Sequence, residues 1–339
     1  MKKLMILLLT ILFSVSAFAG GQQDADPAAA VEQSSEPITL RFGAVNPMNH
    51  PFLQGAQFFA DEVNKNSGGR ITIDLYPSSQ LGGISEMVQS VQVGALDFTM
   101  SKPGTIADMG VKDVYVYELP YVFRDEDHLN KVMTGEVGER ILAKVQAGGT
   151  KLVSLAYHSD GARSFFTTEK PVRSLADMKG LKVRVQNIQM FVDLMEAFGA
   201  SATPIAYSEL YSALQTGVVD AGENPVAGYY TNNFFEVAPN FTFDTHTMAP
   251  TIIHMSEISW NKLSPADQKI IKDAAVASTG FVKEFVARKN QEYIADMESK
   301  GAKFYELSDK DAWIEAATPV FLKYGAGLTD LIKDIQAVK

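Results

Sequence analysis

The sequence predicts an α/β protein built as two similar lobes, on three observations. Strand and helix patterns alternate along the chain, the order that α/β domains show. A stretch of the first half is echoed, without a gap, in the second. About 300 residues follow an N-terminal leader, enough for two domains, and 46% hydrophobic residues allow an ordinary core.

Lys2 and Lys3 form a basic n-region, residues 4–15 an apolar h-region, and Ala17-Phe18-Ala19 a small-x-small cleavage site. The apolar run is too short for a bilayer anchor. The expectation is a signal peptide over 1–19, cleaved near Ala19/Gly20, and a disordered leader over 20–36, rich in Gly, Gln, Ala, Ser and Asp. The chain has no cysteine, so lipid attachment at a cysteine, disulfides, Cys metal sites and Cys nucleophiles are all excluded. A net charge of −10 argues against nucleic acid as a partner.

The elements then follow in order. Residues 38–44 form a strand candidate, 52–66 an amphipathic helix ended by Gly68-Gly69, and 70–76 an alternating strand. A helix carries Met87, Val88 and Val91 and stops at Gly94, before a short strand at 95–100. A helix over 126–146 and a strand over 150–157 complete the first lobe. In the second, Leu181, Val183 and Val185 alternate with Lys182, Arg184 and Gln186, the period of a half-buried strand. A helix over 188–198 stops at Gly199, another runs over 208–216, and a strand over 218–221 follows. Ser264-Pro265 opens a long helix reaching about Gly301, long enough to pass along both lobes. A strand at 303–306 and helices over 309–324 and 328–338 close the chain.

The echo pairs Ser85-Glu86 and the Gly94-Ala95-Leu96-Asp97 stop with Ser208-Glu209 and Gly217-Val218-Val219-Asp220. Each copy reads as a Ser-capped helix, a glycine stop and a strand ending in Asp. Duplication and convergence on the same local rules both explain it.

Enzyme signatures are absent: no G-x-S-x-G, H-E-x-x-H, P-loop or G-x-G-x-x-G occurs. Of five histidines, only His246 and His254 form a loose pair, outside a helical context, and no metal or cofactor is expected. Paired carboxylates for glycoside chemistry are spatial and stay open. The polar residues at element ends carry more. Arg184 stands near the end of a strand, before a strand-to-helix turn, where open α/β sheets place ligands. Its guanidinium offers a fork of donors matching a carboxylate; the alternative is a solvated strand-face arginine. Arg163 follows the turn at His158-Ser159-Asp160-Gly161 and reaches the same space or remains a turn residue. Asn224, before Pro225, suits a hydroxyl or carboxyl ligand or caps a helix that has Pro225 at N1. Tyr207 is a ligand wall or core.

Gly180-Leu181-Lys182-Val183-Arg184-Val185, the run from Pro204 through Tyr207-Ser208-Glu209 to Asp220, and Glu223-Asn224-Pro225 together resemble a known family. Asn49-His50-Pro51, Leu81-Gly82-Gly83 and Phe235-Glu236-Val237 fit it too. The family is the DctP-type solute-binding proteins of tripartite ATP-independent periplasmic (TRAP) transporters. The resemblance implies a type II-like periplasmic binding fold with crossing strands and a long lobe-spanning helix. Lobe I is expected over 37–160 plus 250–288, and lobe II over 161–249 plus 289–317, with C-terminal helices over 318–339 packing on both. It implies that Arg184 pairs with a ligand carboxylate. Arg163, Asn187, Asn224 and Tyr207 then line the cleft, and His50 and Glu86 contact the distal part of the ligand. Gln186 stands where the family usually has Pro or Met, Gly222 where it has Gln, and Ala238-Pro239 where it has Gln-Lys. The implied partners are a small carboxylate ligand, best a hexuronate or related sugar acid, and the small and large TRAP membrane subunits. A simple dicarboxylate or keto acid, an exported enzyme acting on acidic sugars with His50 or Glu86 as acid/base, and a sensor partner are the alternatives.

Overall fold

The structure is a computed structural model that describes residues 36–339. The expected signal peptide, and all but Glu36 of the expected leader, lie outside the described residues. Those residues form two sheets. The first runs β2-β1-β3-β10-β4: β1 Ile38–Gly43, β2 Ile71–Tyr76, β3 Phe98–Ser101, β4 Leu152–His158 and β10 Thr251–Ser256. The second runs β11-β9-β5-β8-β6-β7: β5 Arg163–Thr167, β6 Lys182–Val185, β7 Ser201–Pro204, β8 Ala221–Asn224, β9 Asn240–Thr247 and β11 Lys303–Glu306. The chain passes between sheets at 159–162, from β4 to β5, and returns at 248–250, from β9 to β10. Two segments therefore cross side by side where the lobes meet. β10 lies antiparallel between β3 and β4, and β5 antiparallel between β8 and β9, so each crossing leads into the interior of the sheet it enters.

The helix Pro265–Ser299 ties the lobes along one side. Ser264 caps it, accepting from the Asp267 N–H at 3.2 Å, with Pro265 in its first turn. At 35 residues it spans roughly 50 Å. Ile271, Ala274, Ala275, Val282 and Val286 join the core beneath the first sheet, and Tyr293 and Met297 that of the second. Ser278 and Thr279 fasten it to β4, through the His158 imidazole at 2.8 Å and the Tyr157 carbonyl at 2.8 Å. A third core runs from Met87 and Tyr117 through Tyr157 and Phe165 to Trp313, so the lobes share apolar packing.

The echo is a repeat of structure as well as of sequence. The helix Ile84–Gln92 stops at Gly94 (φ +72°), and Leu210–Gln215 at Gly217 (φ +73°). Asp97 then accepts the Arg41 N–H of β1 at 2.8 Å, and Asp220 the Lys182 N–H of β6 at 2.9 Å. Each carboxylate pins a strand that runs parallel to the one it precedes, β1 to β3 and β6 to β8. The reading of the copies changes in two details. Both aspartates precede their strands, so the second strand is β8 and not 218–221. Neither serine caps: Gly83 holds the first cap position, and Ser208 lies in a 3₁₀ turn, Tyr207–Glu209.

The helix expected over 126–146 is two, Glu126–Thr134 and Glu136–Ala147, because Gly135 breaks it. A Cβ at Gly135 would come within 2.8 Å of the Lys131 carbonyl. Four strands absent from the sequence reading are β5, β7, β9 and β10. β5 and β10 are buried along their whole length. Strands covered on both faces lose the alternation that marks a strand in sequence.

His254 sits inside the first sheet, fully buried, between Ser101 Oγ and Ser154 Oγ, each at 2.9 Å. Burial lowers its pKa to about 3, so it folds neutral. The unfolded chain binds a proton there below pH 6.5, and the stability this residue contributes is lost as pH falls from 6.5 toward 3. Between pH 6.5 and 4.5 the unfolding free energy of the wild type should fall faster than that of His254→Gln. The difference is about 1.4 kcal/mol per pH unit, read by urea denaturation. Parallel slopes would contradict this assignment.

Candidate functional site

A cavity of about 300 Å³ lies between the lobes, bounded by the ends of β1, β3, β6 and β8, by Asp160 of the first crossing and by Thr251 at the start of β10. That volume is at the small end for ligand pockets and suits a molecule of sugar size.

Arg184 occupies the wall of the second lobe. On β6, Lys182 and Arg184 share a face; the lysine emerges at the sheet margin and the arginine enters the cavity, 2% exposed. Its Nε and Nη2 both donate to the Ile205 carbonyl, at 3.0 and 2.8 Å, and the Tyr207 ring lies 5.5 Å away under the guanidinium. Nη1 is buried without a hydrogen-bond partner among the described residues. The solvated-arginine alternative is thereby excluded. Burial, opposed by Glu223, lowers its pKa to about 10, so it carries its charge at neutral pH.

Arg163 opens β5 and also lines the cavity. Glu223 on β8 grips it with both oxygens: Oε2 accepts from Nε, and Oε1 from Nη2 at 2.8 Å. Burial would raise the Glu223 pKa; Arg163 and His246 outweigh it and bring it to about 2. His246 stacks on Phe165 at 4.8 Å, with Nδ1 2.6 Å from Asp244 and Nε2 3.6 Å from Glu223. Burial would lower the imidazole's pKa, but the two carboxylates raise it to about 9. A buried row of alternating charge, Asp244, His246, Glu223, Arg163, thus ends at the cavity. His246 and His254 lie in different sheets and, among the described residues, no cluster with metal-binding composition occurs.

Asn224 ends β8 and donates to the Tyr207 hydroxyl at 3.0 Å, as Asn232 does at 2.8 Å. With both lone pairs of that oxygen occupied, the Tyr207 proton is left as a donor. Asn224 belongs to the strand and not to a helix cap; Pro225 holds the cap position of Val226–Thr231. Gln186 and Asn187 line the cavity beyond β6, the Gln186 Nε2 buried and unpartnered among the described residues.

From the first lobe come Glu86, in the first turn of Ile84–Gln92, Lys102 and Asp160. Lys102 donates to the carbonyl of Ala249, in the returning crossing, at 2.7 Å. Burial pulls its ammonium below the ordinary lysine range, and Asp160 acts to raise it again. His50 does not line the cavity. It caps the helix Pro51–Asn66, its Nδ1 accepting from the Phe52 N–H at 3.1 Å, and its Nε2 stands 3.5 Å from Asp160 Oδ2. The sequence reading therefore brought seven of its eight residues to one cavity and placed His50 one layer behind it. Lys102, Asp160, Asn232 and His246 went unrecognised as parts of the site. Lys102, Asp160 and Asn232 meet partners distant in sequence, and His246 joins its near neighbour Asp244 to Glu223 on another strand; no local motif marks any of them.

Two α/β lobes, paired crossings and a polar cavity between the lobes with a buried cation define a solute-binding protein. The chain belongs to the bacterial extracellular solute-binding proteins of family 7 (DctP), whose profile matches residues 42–326. The C4-dicarboxylate-binding periplasmic protein DctP of Rhodobacter capsulatus is 32% identical over 86% of this chain and 88% of its own. The TRAP periplasmic solute-binding protein of Pseudomonas putida F1, solved with bound D-glucuronate, superposes with a TM-score of 0.86. It is 34% identical, over 89% of this chain and 98% of that one. A counterpart from Bradyrhizobium, complexed with D-galacturonate, gives 0.84 at 33% identity, over 88% and 99%.

Proposed function

We propose that this chain is the periplasmic receptor of a TRAP transporter for a hexuronate or related sugar acid. Export follows cleavage near Ala19/Gly20, and the loaded protein delivers its ligand to the small and large membrane subunits. The observation that carries this reading is Arg184: a buried guanidinium in the cavity wall, spending two donors on one neutral carbonyl and keeping Nη1 free of protein partners among the described residues. A carboxylate satisfies that edge with a charge-assisted hydrogen bond. Arg163, held by Glu223, flanks the same carboxylate. The Tyr207 hydroxyl, Asn224, Asn187 and Gln186 meet ring hydroxyls, and Glu86 meets the far end of the ligand. His50 acts through Asp160, without touching the ligand. Relatives with bound glucuronate and galacturonate support a sugar acid.

Lobe I (37–160 plus 250–288) and lobe II (161–249 plus 289–317) close on the ligand about the crossings at 159–162 and 248–250, with the C-terminal helices (318–339) behind. Closure excludes water, which strengthens the ion pair. The ligand is released unchanged; no nucleophile or acid/base pair is assigned. In a thermal-shift screen of organic acids, D-glucuronate or D-galacturonate at a hundredfold excess over Kd adds about 2.7 kcal/mol of apparent stability. The ligand should be recovered intact after prolonged incubation. A screen in which only C4-dicarboxylates raise the midpoint, or in which a uronate is consumed, would contradict this reading.

A further inference from the structure

Asp160 lies in the first crossing, between β4 and β5, and is 3% exposed. It lines the cavity. Its Oδ2 faces the His50 imidazole at 3.5 Å, and its Oδ1 is buried with no partner among the described residues. Burial would raise its pKa, yet the charges of Lys102 and Arg163 and the bond with His50 hold it below the ordinary carboxylate range. It is therefore ionised at neutral pH. The cavity wall holds three cations, Lys102, Arg163 and Arg184, and two anions, Glu86 and Asp160. Arg163 is neutralised from behind by Glu223. Lys102 is coupled electrostatically to Asp160 and Glu118. Arg184 donates to a neutral carbonyl alone and makes no ion pair among the described residues; Lys102 also donates to a carbonyl, that of Ala249, but the charges of Asp160 and Glu118 offset its own. The site is thus set for one negative charge, at the Arg184 end.

We infer that Asp160 determines specificity: its free Oδ1 accepts a ligand hydroxyl, and its charge, with that of Glu86, rejects a second carboxylate. This rests on the proposed pairing of Arg184 with the first carboxylate. The cavity then takes hydroxylated monocarboxylates and refuses aldarates and simple dicarboxylates. A carboxylate brought against Asp160 meets like charge in a water-poor site, and the ionised Asp160 has no proton to give it.

D-glucuronate and D-glucarate separate these demands, because both are hydroxylated six-carbon acids and the end remote from the first carboxylate is a hemiacetal hydroxyl in the one and a second carboxylate in the other, while D-gluconate is the open-chain monocarboxylate that controls for the ring. Isothermal titration of the wild type should give D-glucuronate at least about 100-fold tighter than D-glucarate, since like-charge juxtaposition costs several kcal/mol. In Asp160→Asn the amide both accepts and donates. Affinity for D-glucuronate should drop about tenfold, and the ratio of the two should narrow at least tenfold. The unliganded melting curve of Asp160→Asn reports whether it folds. Glu86→Gln, an exposed change, carries the same test with a smaller narrowing of about threefold. Wild-type affinities within tenfold of each other, or an unchanged ratio in folded Asp160→Asn, would overturn the assignment. If D-gluconate outbinds D-glucuronate while D-glucarate is still refused, the hexuronate reading fails and the role of Asp160 is upheld.

Discussion

Arg184→Ala should weaken D-glucuronate binding by about 30- to 5,000-fold, the effect of truncating one partner of a buried, hydrogen-bonded charge pair at ~2–5 kcal/mol. Nearly all of the loss should lie in the dissociation rate, because the residue acts after the lobes have met the ligand. Arg184→Lys keeps the charge but not the fork. One ammonium cannot hold the Ile205 carbonyl and a carboxylate in the geometry that Nε, Nη2 and Nη1 allow, so recovery should be partial. Arg184 makes no ion pair among the described residues and one neutral carbonyl takes its two donors, so the unliganded protein should lose little stability. A variant that binds D-glucuronate as the wild type does would remove the basis of the proposed site.

The second large effect is on stability. Glu223→Gln should destabilise the unliganded protein by about 3–5 kcal/mol in urea denaturation, because it leaves Arg163 buried with its principal counter-charge gone. Replacing both, as in Arg163→Met with Glu223→Leu, removes the charge together with its partner and should cost less than Glu223→Gln alone, although the ligand site is lost. The pH dependence follows from the same pair. The folded carboxyl sits at about 2 against 4.5 in the unfolded chain, so its contribution is complete above pH 4.5 and is lost as pH falls toward 2. If Glu223→Gln stays within 1 kcal/mol of the wild type, roughly the worth of a neutral hydrogen bond, the row from Asp244 to Arg163 does not matter to the fold in the way described.

What could be read from the residues depended on whether the signal was local. β6 alternates over a few residues beside a turn, so Arg184 was visible as a polar residue at a strand end. The echo was visible because each copy is a helix, a glycine stop and an aspartate within one short run, and the two aspartates do the same thing, each holding the N–H of a neighbouring strand. β5 and β10 were invisible for the opposite reason. Their neighbours on both sides, and their burial on both faces, are set by the crossings, which join residues about a hundred positions apart. Within the site, the same divide separates Arg184 and Asn224 from Asp160 and Asn232. The former lie at or beside strand ends, before turns; the latter meet His50 and Tyr207, residues far from them in the sequence. His50 was read as a ligand contact because its motif is shared with the family, but in this chain its nitrogens are taken by the cap of Pro51–Asn66 and by Asp160.

The central claim is that one fixed guanidinium recognises one carboxylate, and a chemical double-mutant cycle reads it most directly. Titrate the wild type and Arg184→Ala with D-glucuronate and with D-glucuronamide, whose carboxylate is replaced by a neutral amide of nearly the same shape. If the two groups meet, amidation weakens wild-type binding by about 30-fold or more, and in Arg184→Ala the acid and the amide bind nearly alike, the two losses failing to add. Equal binding of acid and amide by the wild type, or two losses that simply add, would place the carboxylate elsewhere and contradict the account.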